Sequence, residues 1–110
     1  MTRSPRDRIQ DVRAAVAAIR EFEQAGREQP VVFDAVRMRL LEVGEAVNGI
    51  PQQLRDTEPA VPWGEIIGMR NWMAHRYFDT VHAYIWATVD QDLDPLLAAL
   101  DRIAARLDER

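Results

Sequence analysis

Residues 33–54 read FDAVRMRLLEVGEAVNGIPQQL. Apolar side chains at Phe33, Val36, Leu40, Val43, Val47, Ile50 and Leu54 alternate by three and four without a miss. That is the stripe of a helix lying along another helix. Asn48-Gly49-Ile50-Pro51 falls near its end. Proline costs about 3 kcal/mol inside a helix and restricts the residue before it, so a kink or break is expected here, with a last turn through Leu54.

Two further stripes flank this one. Ile9, Val12, Val16, Ile19 and Phe22 mark an N-terminal helix from about Ser4 or Pro5 to Gln24, with Ser4-Pro5 as cap and first-turn pair and Gly26 as its stop. Leu93, Leu96, Leu100, Ile103 and Leu107 mark a C-terminal helix, with Asp92 or Asp94 as cap and Pro95 tolerated in the first turn. In between, Pro62-Trp63 opens a helix carrying Ile66, Ile67, Met69 and Met73 toward Tyr77. Asp79-Thr80 reads as the cap of a short helix holding Val81, Ile85 and Val89. No segment alternates with period two. The fold class expected is all-α: an up-and-down helical bundle of four to five helices, with two long helices as its spine.

The 110 residues suit one domain, 1–110, since two would be too small to hold separate cores. The formal charge is -4, and all 14 positive side chains are arginine. Bulk attraction to nucleic acid or anionic membrane is therefore excluded, whereas a local arginine site for phosphate is not. There is no cysteine, which removes disulfides, cysteine–zinc sites, iron–sulfur clusters and thiol nucleophiles. The opening MTRSPRDRIQ has no apolar stretch behind its arginines, and no window reaches the roughly 18 apolar residues of a membrane span. A soluble, cytoplasmic protein is expected.

Reactive side chains concentrate in MRNWMAHRYFD, Met69 to Asp79. On a helix Asn71 and His75 share a face and Arg70 sits about 100° round from Asn71, so a guanidinium, an amide and an imidazole can approach one small volume. Those groups suit phosphodiester cleavage by an RNA 2′-hydroxyl. Histidine moves protons near neutral pH, and arginine holds the charge growing on the phosphate oxygens. Such a scheme needs neither metal nor cofactor. One chain offers one good acid–base histidine; a symmetric dimer would supply two.

Arg70-Asn71-Trp72-Met73-Ala74-His75-Arg76-Tyr77 resembles the arginine-x4-histidine-x-tyrosine motif of the HepT-like (DUF86-type) toxins of the HEPN superfamily. Leu41-Glu42-Val43-Gly44-Glu45-Ala46 is similar to the second-helix segment of that family, and Val61 to Arg70 to its run into the motif. Trp86 and Asp92-Leu93 follow in order. The resemblance covers about residues 7 to 107. It implies a metal-independent RNA endonuclease, the toxin of a type VII toxin–antitoxin system, with its site formed across a homodimer. It further implies that Arg70 binds the scissile phosphate, His75 is the acid–base group and Asn71 orients one or the other. The partner implied is a minimal nucleotidyltransferase antitoxin that silences the toxin by transferring AMP to Tyr77. Glu45 is expected to face the motif and pair with Arg70, and Arg76 to support the site.

Plainer roles are expected elsewhere. His82 lies outside the motif and suits a surface or capping position. Trp63 and Trp86 suit packing. Arg3, Arg6, Arg8 and Arg13 suit a solvated helix face. A His75, Asp79 and His82 metal set would be broken by the helix end at Phe78-Asp79-Thr80. The acidity lies mainly away from the motif: Met69 to Tyr77 has Arg70 and Arg76 without a carboxylate, whereas Asp90 to Arg110 has six acids against three arginines. The alternative function is a catalytically inactive helical subunit that binds a nucleotidyltransferase; a plain dimerisation module would explain the stripes but not the reactive cluster.

Overall fold

The structure is a computed structural model describing residues 3–74 and 78–109. His75, Arg76 and Tyr77 lie outside the described residues. Helix α1 runs Pro5–Glu23. At its start the Ser4 hydroxyl accepts from the Asp7 backbone N–H at 3.1 Å and the Asp7 carboxylate accepts from the Ser4 N–H at 3.1 Å, a reciprocal cap worth about 1 kcal/mol. Gly26, with φ 107°, makes the left-handed turn that ends the helix region and sends the chain back.

Helix α2, Pro30–Asn48, opens on a proline whose missing N–H costs nothing there. The expected break is present. The chain leaves the helix at Gly49, and after Pro51 a single turn, α3, spans Gln52–Arg55. Arg55 Nε donates to the Ile50 carbonyl at 3.0 Å, tying that turn to the break. Helices α4 (Trp63–Ala74), α5 (Phe78–Gln91) and α6 (Leu93–Asp108) complete an all-α bundle, with no strand among the described residues.

Packing puts α1 in the middle. It lies against α2 on one side and α6 on the other, α2 carries α4, and α6 carries α5. All three stripes point inward: Ile9, Val12, Val16 and Ile19 meet Phe33, Val36, Leu40, Val43 and Val47, with Leu93, Leu96, Leu100 and Ile103 closing the core. Each such side chain, taken fully from water, contributes about 1.5–3 kcal/mol. The stripe ends Phe22, Leu54 and Leu107 are only partly covered. No helix among the described residues is long and apolar enough to cross a membrane.

Three local expectations need correction. Asp79 and Thr80 lie inside the first turn of α5 rather than before it. Asp92 stands at the N-cap of α6, but its side chain makes no cap hydrogen bond; its backbone there is already αR, which turns the carboxylate from the free N–H groups. His82 neither caps nor stands clear on the surface. Its ring stacks on Phe33 at 4.4 Å and lies edge-on to Trp86, whose Nε1 donates to His82 Nε2 at 3.4 Å. The expected packing role of Trp86 holds: it is buried, and the Arg27 guanidinium lies 4.4 Å from its ring centre while pairing with Glu23 and Asp90. Arg3, Arg6 and Arg13 sit on the solvated face and pair with Asp11, Asp108 and Asp101. Arg8 differs, lying across Gly49 with its Nε buried.

Candidate functional site

The site begins with a glycine. Gly44 is buried on α2, and a β-carbon there would stand 3.0 Å from the Ile66 carbonyl oxygen. With only hydrogen at that position, α4 crosses α2 with backbone near backbone. The crossing is locked from the α4 side by Ile66, Met69 and Met73, all buried. Helical spacing then turns Arg70 and Asn71 outward, and both are exposed.

The residue after Gly44 receives that outward face. Arg70 Nη1 donates to Glu45 Oε1 at 3.1 Å, with both side chains largely exposed, as the sequence led us to expect. One of five N–H donors is thus engaged, leaving the rest of the guanidinium fork for an anion. Beside the pair is a small recess of about 40 Å³ lined by Leu41, Asn48 and Ile67 among others. The structure therefore brings Arg70 and Glu45 together and places Asn71 next to them. His75, Arg76 and Tyr77, following immediately on Ala74, lie outside the described residues.

The entry to α4 is held by a second arrangement, centred on Glu58. Its carboxylate accepts from Arg102 Nε at 2.9 Å and Nη2 at 2.6 Å, and from Arg106 Nη2 at 2.6 Å. Its carbonyl accepts from Trp63 Nε1, in the first turn of α4, at 3.0 Å. The Arg102 and Arg106 hydrogen bonds hold the Glu58 carboxyl below the usual carboxylate range. Sequence reasoning treats Thr57-Glu58 as plain loop. The available signal is Arg102 and Arg106, four apart on α6 and asking for a carboxylate between them.

Acidity gathers at the other end of the helix. Burial pushes the Asp92 carboxyl up, with nearby Glu65 adding to it, and burial raises Tyr84, again with Glu65 contributing. Glu65 sits in the first turn of α4, where a carboxylate favours the helix dipole. Arg70 lies toward the opposite end of α4.

With this geometry in view, similarity to known proteins is informative. Residues 6–103 match the HepT-like family, described as ribonuclease HepT-like. A protein of Thermococcus cleftensis named as a probable ribonuclease HepT is 30% identical over 94% of this chain and 98% of its own length. A chain from Methanocaldococcus jannaschii, provisionally named an RNase, is 34% identical over 82% of this chain and 77% of its own. Another provisionally named RNase, from Caldanaerobacter subterraneus subsp. tengcongensis, is 36% identical over 63% of this chain and 62% of its own. No solved structure matches significantly.

Proposed function

Since the chain belongs to the HepT-like ribonuclease family, we propose that it is an RNA endonuclease that works without a metal, acting as the toxin of a type VII toxin–antitoxin pair. The observation carrying this reading is the Arg70–Glu45 pair: an arginine held on an exposed helix face, five residues before His75, with most of its donors open.

In the proposed reaction, Arg70 grips the nonbridging oxygens of the scissile phosphate. A neutral His75 takes the proton of the 2′-hydroxyl, O2′ bonds to phosphorus, and the bond from phosphorus to O5′ breaks. A protonated His75 from a second copy gives its proton to O5′. The products are a 2′,3′-cyclic phosphate and a 5′-hydroxyl, and Asn71 orients the imidazole or the phosphate by hydrogen bonding. Two copies divide base and acid between them, which is why the reading includes a homodimer.

Silencing follows the same chemistry of charge. The Tyr77 oxygen attacks the α-phosphorus of ATP on a minimal nucleotidyltransferase partner, pyrophosphate leaves, and AMP stays on the tyrosine. An anionic group two residues from His75, beside Arg76, competes with RNA for the same positive surface and blocks access.

The test is cleavage of a labelled RNA by the purified chain in EDTA, beside His75→Ala and Arg70→Ala. Cleavage by the parent alone supports the reading. Equal cleavage by all three, or loss in EDTA restored by a divalent ion, overturns it. Incubation with the nucleotidyltransferase and ATP should add the mass of AMP, and Tyr77→Phe should abolish that gain.

A further inference from the structure

Beyond the Arg70–Glu45 pair, three recesses that share walls follow one another along α2. Leu41 lines both the recess holding Arg70 and the next, of about 250 Å³, where Arg37 and Asp34 stand. Asp34 in turn lines a third, of about 370 Å³, together with Arg27, Glu28, Phe33 and His82. That volume falls within the range of about 300–1,000 Å³ that small-molecule sites occupy. The phosphate chemistry at Arg70 makes no use of it.

One wall of the third recess is aromatic and fixed in place. His82 stacks on Phe33 with ring centres 4.4 Å apart and planes inclined by 17°, and Trp86 Nε1 donates to its Nε2 at 3.4 Å. Phe33 is buried beneath, so the half-buried imidazole is the ring surface that a flat ligand meets. The rim is acidic. Glu28 and Asp34 are both exposed there, and neither makes an ion pair among the described residues. Arg27 is already committed to Glu23 and Asp90. Arg37, one helical turn from Asp34 in the adjoining recess, makes no ion pair among the described residues.

We propose that this recess binds a guanine base of the RNA substrate, in a nucleotide near the one that is cut. The inference rests on the nuclease reading and deepens it, because it gives the substrate a preferred sequence. Bases of a single strand are held by stacking on aromatic rings and by hydrogen bonds to their Watson–Crick edges. An ionised carboxylate only accepts, and guanine is the base that offers it two adjacent donors, N1–H and the N2 amine. Adenine and cytosine each set a ring-nitrogen acceptor beside the amine, and uracil sets a carbonyl on either side of its N3–H. In all three the second carboxylate oxygen faces a lone pair. Guanine therefore stacks on His82 and donates to Asp34, while Arg37 takes a phosphate of the same nucleotide. Asp34 and Glu45 are eleven residues apart, about 16 Å along α2 at 1.5 Å per residue. The base that is read is thus a neighbour along the strand and not the nucleotide that reacts.

Mononucleotides test the recess apart from cleavage. Calorimetric titration of the purified chain with 5′-GMP, AMP, CMP and UMP should show GMP bound at least about tenfold more tightly than the other three. Asp34→Asn sets an amide donor beside an acceptor, the pattern that pairs with adenine, and should reverse the order in favour of AMP. Arg37→Gln should weaken all four about tenfold and leave their order unchanged. Both side chains lie outside the core, and circular dichroism checks that each variant is folded. On short RNAs, a guanine near the cut should lower KM about tenfold at unchanged kcat, and Asp34→Asn should pass that advantage to adenine. Equal binding of the four nucleotides, or an order that Asp34→Asn does not move, overturns the proposal. GMP selectivity beside cleavage indifferent to sequence also overturns it, since the recess then takes a free nucleotide and not the substrate. The two claims fail separately: a GMP-selective chain that leaves RNA intact removes the nuclease reading while the guanine recess stands, and a cleaving chain that binds all four nucleotides alike removes the recess alone.

Discussion

The Ile66 carbonyl oxygen stands 3.0 Å from where a β-carbon on Gly44 would be. That approach decides where α4 lies on α2. Gly44→Ala gains about 1 kcal/mol of helix propensity, but it must push a backbone carbonyl outward, an overpacking cost of about 1–3 kcal/mol. The net expectation is a stability loss of about 1 kcal/mol, with α4 displaced and Arg70 carried away from Glu45. Urea melts measure the first. Cleavage should fall further than the unfolded fraction accounts for, and unchanged cleavage would mean the crossing does not set the site.

Glu45→Gln removes the charge but leaves an amide of the same shape. The pair is largely exposed, so stability should move by less than about 1 kcal/mol. Cleavage should nevertheless drop about tenfold, equivalent to about 1.4 kcal/mol of transition-state stabilisation, because Arg70 loses its tether and wanders. Single-turnover rates beside thermal melts separate the two effects. A large fall in melting temperature with intact activity would make Glu45 a structural residue only.

Stability should depend on acid. Arg102 and Arg106 hold Glu58 below its ordinary 4.5, Arg27 holds Asp90 below 3.8, and the Ser4 backbone hydrogen bond holds Asp7 below 3.8. A carboxyl with a lowered folded value stabilises the fold fully above its unfolded value, and that contribution is lost as pH falls through the folded one. Asp92, raised by burial, acts in the opposite sense. Melting temperature should therefore hold steady at neutral and mildly acid pH and fall below 4.5. Glu58→Gln should lower the neutral plateau and flatten the acid slope; an unchanged slope would remove Glu58 from this account.

His82→Ala strips the ring from between Phe33 and Trp86 and leaves the Trp86 N–H without that acceptor. The expected cost is about 1–3 kcal/mol, with Trp86 emission shifted by its altered surroundings. RNA cleavage per folded molecule should stay near the parent value. A selective loss of cleavage with stability intact would make His82 part of the chemistry.

What the sequence reveals follows the range of each interaction. The α2 stripe is legible because periodicity is local, and Pro51 announces its break for the same reason. The pairing of Glu45 with Arg70 spans 25 residues, and only the resemblance carried by Gly44-Glu45-Ala46 to the family's second helix implies it. Glu58 is hidden, because its partners are 44 and 48 residues away and nothing around it is periodic. His82 misleads for a related reason: its stacking partner Phe33 belongs to another helix, and only the crossing brings the rings together. His75, Arg76 and Tyr77 lie outside the described residues, so their part in the site stands as proposed.

The Glu58 clasp also bears on the order in which the molecule becomes whole. A contact cannot close before both of its ends have been synthesised. Arg70 can find Glu45 once residue 70 has emerged from the ribosome, but the carboxylate guarding the entry to α4 waits for residues 102 and 106. A nascent chain halted before α6 would carry Arg70 on a helix packed against α2 but not yet clasped at its entry. The last helix thus sets the moment at which the entry to α4 is fixed.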